Sequence, residues 1–258
     1  MCRLAVYLGP ETSLKHIVFD TNHSLEKQAW QPKELREAKL NADGFGFGWY
    51  NDNAQTGRYR QTLPIWGDAN AHDFCTSLQR NLWLCYIRSA TPGLSTGIEN
   101  TQPFYYQHWQ FLHNGYINSF NNNIRSKIRQ LLHHEIENCI HGSTDSEYLF
   151  ALIIHFFKQS ADMIMAIKES FKLLKTWLGK ERALLNIVIS DGIEIIATSH
   201  AINGLCPTLY YGKNIKSFPK NSQLLVSEPL TDDQQWQAIT AHTLLRLRAD
   251  VTLEEQKL

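Results

Sequence analysis

The first apolar stretch, Cys2–Leu8 (CRLAVYL), is rich in β-formers with moderate alternation and predicts a strand. Asp43–Tyr50 (DGFGFGWY) has period two with glycine on one face, and Leu82–Arg88 (LWLCYIR) is almost entirely apolar, the pattern of a strand covered on both sides. Trp109–His113 (WQFLH) predicts another short strand, ending at Asn114-Gly115. The period then changes.

Ile124–Ile136 carries apolar residues at helical spacing. Thr144-Asp145-Ser146-Glu147 reads as a capping box ahead of YLFALIIHFF, so a helix should begin beside Thr144, and Met163–Leu178 continues helically. Strands return at Leu184–Ile189, Ile193–Thr198, Thr208–Tyr211 and Leu224–Ser227, punctuated by Asp191-Gly192, Asn203-Gly204 and Pro207. The order is strands, helices, strands. Two sheets with helices packed outside them satisfy these faces, an α+β layered architecture with no repeat or linker.

Composition narrows the partners. Lys plus Arg total 25 and so do Asp plus Glu, so no net field draws the 258-residue chain to nucleic acid or acidic lipid. The five cysteines, at positions 2, 75, 85, 139 and 206, have no CxxC spacing, which suits reduced thiols. The opening MCRLAVYLGPE is broken too early by Gly9-Pro10 for a secretory signal. The longest apolar run, Tyr148–Phe157, falls well short of the roughly 20 residues that span a bilayer. A soluble, cytoplasmic protein acting on small molecules is expected, with no membrane or nucleic-acid partner.

Cys2 is the most informative residue. Removal of Met1 would leave a thiol and a free α-amine on one residue, and an α-amine with a pKa of about 7.7–8.0 can take the thiol proton near neutrality, where lysine at about 10.4 cannot. Nucleophile and base then arrive together. A small buried cysteine that merely comes second is the plainer alternative. Asn114 and Gly115 could supply a side-chain amide and a backbone N–H to a developing oxyanion, or form a type I′ hairpin turn. Arg88, at the end of an apolar strand, could emerge into a cleft and hold a carboxylate by two parallel hydrogen bonds, or simply be solvated. Asp145 belongs in the first turn of the helix capped by Thr144, where the dipole favours it, and could also meet a ligand ammonium. Clamps of opposite sign describe an α-amino acid. A nucleophile beyond them would attack an amide at its side-chain end, the γ-glutamyl geometry.

With these residues in place the chain resembles the class II glutamine amidotransferases, which are N-terminal nucleophile hydrolases. The resemblance covers roughly the first 230 residues through MCRLAVYLG, NADGFGFGWY, YIRSATPG, NTQPF, HNGYI, GSTDSE and VSEPL. Among them it is most similar to the stand-alone γ-glutamyl hydrolases of ergothioneine biosynthesis. It implies a four-layer αββα sandwich with two mainly antiparallel sheets between helical layers, and a single glutamine amidotransferase type-2 domain over residues 1–258. It also implies Cys2 as nucleophile, Asn114 and Gly115 as oxyanion hole, Arg88 as α-carboxylate site with Thr91 nearby, and Asp145 as α-amine site. Many family members carry a histidine two positions before the arginine and another just after the threonine; this chain has Tyr86 and Pro92. About 30 residues follow Ser227, too few for a synthase domain that would receive ammonia.

The expected reaction is therefore hydrolysis of a γ-glutamyl amide through a Cys2 thioester, without cofactor. Two other classes stay open: a glutaminase subunit serving a separate synthase, and a non-catalytic interaction module. A homo-oligomer is equally open. DGFGFGWY lacks GxGxxG spacing and runs on as a strand, so close backbone packing fits it better than phosphate cradling. His133, His134, Cys139 and His141 match no common zinc spacing, so no metal is expected. The aromatic QPFYYQHWQF could line the leaving-group side of the pocket or pack the core.

Overall fold

A computed structural model describes residues 2–34, 40–89 and 96–258. In chain order its strands are β1 (Arg3–Ser13), β2 (Phe45–Tyr50), β3 (Thr56–Gln61), β4 (Gln79–Ile87), β5 (Phe104–Tyr106), β6 (Trp109–Ile117), β7 (Ala183–Ser190), β8 (Glu194–Ser199), β9 (Ala201–Ile202), β10 (Tyr210–Lys213), β11 (Gln223–Val226), β12 (Trp236–Ala238), β13 (Thr243–Arg248) and β14 (Leu253–Lys257). The α-helices are α1 (Leu25–Trp30), α2 (Ala71–Ser77), α3 (Arg125–Leu131), α4 (His134–Glu137), α5 (Asp145–Ser160) and α6 (Met163–Leu178).

Two sheets result, with strand orders β12-β10-β11-β1-β4-β2-β3 and β14-β13-β8-β7-β6-β5, and β9 pairs with β7 beside the second. Every pairing given is antiparallel.

Strand alternation explains the layering. On β1 and β4 the residues Leu4, Val6, Leu8, Leu82 and Leu84 face Leu112, Val188, Ala197 and Leu245 of the other sheet. Their neighbours Ala5, Tyr7, Trp83 and Cys85 turn the other way, onto Leu25 and Ala29 of α1 and Cys75 of α2. On the second sheet Phe111, Leu185, Ile187 and Ile189 pack against α5 and α6. Strands with both faces covered need the near-continuous apolar composition that LWLCYIR and LLNIVI have. The expected four-layer αββα sandwich is the fold.

Local chemistry sets the helices. Thr144 caps α5 by accepting from the Glu147 N–H at 3.3 Å. The reciprocal half of the expected capping box is absent: the Glu147 carboxylate instead accepts from the His141 and Gly142 N–H groups, at 2.9 and 2.7 Å. Asp162 caps α6 through bonds from Ile164 and Met165. The helix buries Met163, Ala166, Ile167, Ser170, Phe171, Leu174 and Leu178, a stripe of helical period.

Three expectations need correction. The helix over Ile124–Ile136 is broken, because Leu132 and His133 are extended (ψ 139° at both) and separate α3 from α4. β1 does not stop at Gly9-Pro10 but continues to Ser13 through a register shift between Leu8 and Thr12. β6 does not end at Asn114-Gly115; it runs to Ile117, with Asn114 opposite Asn186 and Gly115 opposite Leu185 of β7. That pairing also excludes the hairpin-turn alternative.

All five cysteines are free thiols. No helix among the described residues is long and apolar enough to cross a membrane.

Candidate active site

The site is assembled from the facing sides of the two sheets. Leu4 lies opposite Tyr86 in the β1–β4 ladder. The alternation that sends Leu4 into the intersheet layer sends Cys2 and Tyr86 there too. The Tyr86 hydroxyl donates to Cys2 Sγ at 2.8 Å and the Ser89 N–H donates to the same sulfur at 3.3 Å. The Ser89 carbonyl oxygen is 3.5 Å from Sγ. Cys2 thus sits against the end of β4 that leads into Arg88, and only 7 % of it is exposed.

Tyr86 reports the local field. Burial drives its phenol well above the ordinary 10.0, Cys2 and Asp145 push the same way, and Arg88 opposes them. One hydroxyl therefore feels Cys2, Arg88 and Asp145 together.

Arg88 is buried, not a solvated arginine at a strand end. Its N–H donates to the Gly44 carbonyl at 2.8 Å and its carbonyl accepts from the Asp43 N–H at 3.2 Å. Gly44 has φ +114°, a conformation that suits glycine. At Gly46 an added Cβ would lie 1.9 Å from the Gln102 carbonyl oxygen. The glycines of DGFGFGWY let two segments close in beside Arg88.

From the other sheet, Asn114 shares the parity of Leu112 and so faces the intersheet layer. It is 1 % exposed, and its Oδ1 has no hydrogen-bond partner among the described residues, an acceptor left for a ligand or water to satisfy. Strands β1 and β6 have Cα atoms within 8 Å of each other across the layer. Gly115 turns toward the helices, where an added Cβ would meet the Leu184 carbonyl oxygen at 1.9 Å and His113 Nε2 at 2.5 Å.

Asp145 occupies the first turn of α5. Its Oδ2 accepts from the Ile117 N–H at 2.7 Å and its Oδ1 from the Ser146 hydroxyl at 3.2 Å, which fixes the carboxylate to the end of β6. Ser146 Oγ is also 2.9 Å from His113 Nδ1. Burial lowers His113 below its ordinary value, against the pull of Asp145. Asp145 thus has its place in the first turn of the helix, and its charge is felt at the Tyr86 hydroxyl.

Thr91 and Pro92 lie outside the described residues, as does Met1. Phe104, Tyr105 and Tyr106 of the aromatic segment line a cavity of about 180 Å³ with Arg58, Arg60 and Glu147, and none of Cys2, Arg88, Asn114, Gly115 or Asp145 lines it. Among the described residues no three His, Cys, Asp or Glu side chains are grouped to hold a metal.

The sequence reading missed two features. One is the Tyr86 hydroxyl on the sulfur, noticed only as a departure from the family pattern. The other is a buried network behind Cys2: Arg3 Nη1 lies 3.4 Å from Glu228 Oε2, and Glu228 also bonds His23 and accepts from the N–H groups of Lys33 and Glu34. The signal for it was VSEPL, whose glutamate had no assigned role.

Known proteins resemble this chain in sequence and in fold. The family described as class II glutamine amidotransferases matches residues 17–209, a span holding Arg88, Asn114, Gly115 and Asp145 but beginning after Cys2. The chain is 28 % identical to a gamma-glutamyl-hercynylcysteine sulfoxide hydrolase of Mycolicibacterium smegmatis, covering 96 % of each chain. It is 23 % identical to the probable glutamine amidotransferase DUG3 of Saccharomyces cerevisiae, covering 98 % of this chain and 83 % of that one. Among solved structures, a glutamine aminotransferase class-II domain protein from Silicibacter pomeroyi superposes with a TM-score of 0.72 at 21 % identity, over 99 % of both chains. The glutamine phosphoribosylpyrophosphate amidotransferase of B. subtilis gives 0.65 at 17 % identity, over 99 % of this chain and 49 % of that one. With the family match spanning well over half its length, the chain belongs to the class II glutamine amidotransferases.

Proposed function

We propose that this protein hydrolyses a γ-glutamyl amide through a thioester on Cys2, releasing an amine and then glutamate. The observation that carries the reading is the position of Cys2 Sγ: buried between the sheets, with the Tyr86 hydroxyl of β4 and the Ser89 N–H just beyond that strand donating to the sulfur. The named activity of the mycobacterial relatives supports a γ-glutamyl conjugate as substrate.

In this reading Met1 is removed, and the Cys2 α-amine takes the thiol proton as sulfur attacks the amide carbonyl. The carbonyl oxygen becomes an oxyanion held by the Asn114 side-chain amide and the Gly115 N–H. Arg88 binds the α-carboxylate as a bidentate clamp and Asp145 the α-ammonium. The C–N bond breaks as the protonated α-amine returns its proton to the leaving nitrogen. Water then attacks the thioester, the C–S bond breaks, and glutamate leaves. Holding both ends of the amino acid presents the side-chain carbonyl to sulfur in one geometry, the entropic part of the rate gain.

The test is a panel of γ-glutamyl amides, including glutamine, γ-glutamyl peptides and γ-glutamyl thiohistidine-type compounds, read out as free glutamate. Release that disappears in Cys2→Ala, from material whose intact mass lacks Met1, is the expected result. No Cys2-dependent release across the panel, or full activity with Met1 retained, overturns the proposal.

A further inference from the structure

We infer that the Tyr86 hydroxyl is a catalytic hydrogen-bond donor that accelerates the second half-reaction, cleavage of the Cys2 thioester, by holding the sulfur as it leaves. This rests on the reading of Cys2 as nucleophile.

Tyr86 touches the reacting atom itself, at 2.8 Å, and is 3 % exposed. Its phenol is driven upward by burial and then by Cys2, so it keeps its proton and acts on the sulfur as a donor. The Ser89 N–H is a second donor to the same atom. Among the described residues no histidine is paired with the sulfur; the Tyr86 hydroxyl is.

The value of such a bond changes along the reaction. A thioester sulfur is a weak acceptor, whereas a thiolate is a strong one, so the bond tightens where negative charge gathers on sulfur. In acylation it opposes attack, because it stabilises the thiolate that must become neutral. In deacylation it favours departure: the water oxygen bonds to the carbonyl carbon, the C–S electron pair passes to sulfur, and Tyr86 and Ser89 receive that charge. The water proton goes to the Cys2 α-amine, and Tyr86 retains its own. One donor therefore trades acylation rate for turnover, a sensible bargain for an enzyme whose acceptor is water.

A merely structural hydroxyl would also want a partner when buried, so the experiment must read the two half-reactions separately. A γ-glutamyl anilide serves as the probe: the burst of aniline reports acylation, glutamate reports deacylation, and intact mass reports glutamyl adduct on Cys2. Tyr86→Phe keeps the ring in place. It is expected to lower kcat by roughly 10–100-fold with a parallel fall in KM, so that kcat/KM is nearly kept or improved, and to accumulate adduct on Cys2. Replacing Tyr86 with 3-fluorotyrosine, a stronger donor of nearly the same size, is expected to hold or raise the wild-type deacylation rate. If Tyr86→Phe lowers kcat and kcat/KM together without adduct, or leaves kcat unchanged, the inference fails while the Cys2 mechanism stands. If the wild-type protein shows no Cys2-dependent glutamate release, both fail. Should Tyr86→Phe not fold, the fluorotyrosine protein decides: slower deacylation than wild type overturns the inference.

Discussion

The Arg3 guanidinium and the Glu228 carboxylate meet 3.4 Å apart with both side chains 1 % exposed, although 225 residues separate them. Alternation places Arg3 on the face of β1 opposite Cys2. The network behind it takes in His23, the N–H groups of Lys33 and Glu34, and Gln28, which donates to the Glu228 and His23 carbonyls at 3.0 Å. Ser227 adds a hydroxyl 3.1 Å from the Leu4 N–H. The start of β1 is thereby fixed from behind, which holds the thiol still in front.

Removing one partner of a buried pair leaves an uncompensated charge. Glu228→Ala should therefore destabilise the fold by about 3–5 kcal/mol, measured as a lower urea midpoint at unchanged m. A double variant, Arg3→Met with Glu228→Leu, should recover most of the loss; if it does not, the pair matters for more than charge compensation. The pH dependence has a definite sign. Burial alone would raise Glu228, but its bonds from His23, Lys33 and Glu34 outweigh that and hold it below the ordinary 4.5. A carboxyl lowered by folding contributes stability that is complete above its unfolded value and lost as pH falls through the folded one. Wild type should lose stability below about pH 4.5, and Glu228→Gln less steeply.

His200 gives a second pH effect, in a different window. It stacks on Phe171 at 5.1 Å between ring centroids and faces His242 with 3.0 Å between the Nδ1 atoms. Burial, then His242 and Lys175, lower it from 6.5 to about 4. A histidine kept neutral by the fold contributes fully above its unfolded value, and that contribution drains away as pH falls from 6.5 toward 4. Ring-proton NMR should show one histidine titrating near 4, and His200→Phe should flatten the stability curve between those limits. A histidine set that all titrates near 6.5 would contradict the packing described here.

How much of this was legible in sequence follows from distance along the chain. The covered strands and the Thr144 cap are local patterns and were read correctly, and four layers follow once both faces of a strand are seen to be apolar. The strand end expected at Asn114-Gly115 went astray because turn preference is local, whereas the strand that pairs with this stretch, around Asn186, lies far downstream. The edge strands β3 (TGRYRQ) and β14 (LEEQK) escaped notice because an exposed or half-covered edge needs little apolar surface. The Arg3–Glu228 contact has no periodicity at all. Tyr86 was visible as a substitution, but its contact with sulfur required the β1–β4 register.

Gly115 offers a test of the strand assignment. An added methyl group would sit 1.9 Å from the Leu184 carbonyl oxygen, a backbone atom that cannot rotate away. Gly115→Ala should cost about 1–3 kcal/mol of stability or more and displace the Asn114–Asn186 pairing beside it. Thermal unfolding and amide exchange along β6 and β7 measure this. Were Asn114-Gly115 an exposed turn, alanine would be tolerated there at far smaller cost.

The start of α5 separates cap from ligand contact. Thr144→Ala removes the acceptor for the Glu147 N–H and should cost about 0.5–2 kcal/mol, with activity falling only as Asp145 loses its orientation. Asp145→Asn keeps the size and one acceptor for the Ile117 N–H, so its stability cost should stay near the 0.3–1 kcal/mol of a helix-dipole charge. If the carboxylate receives the substrate's α-ammonium, however, Asp145→Asn should raise KM at least tenfold for γ-glutamyl amides. A substrate lacking the α-amine should bind wild type and variant alike. Equal losses for both substrates would confine Asp145 to its role in the helix.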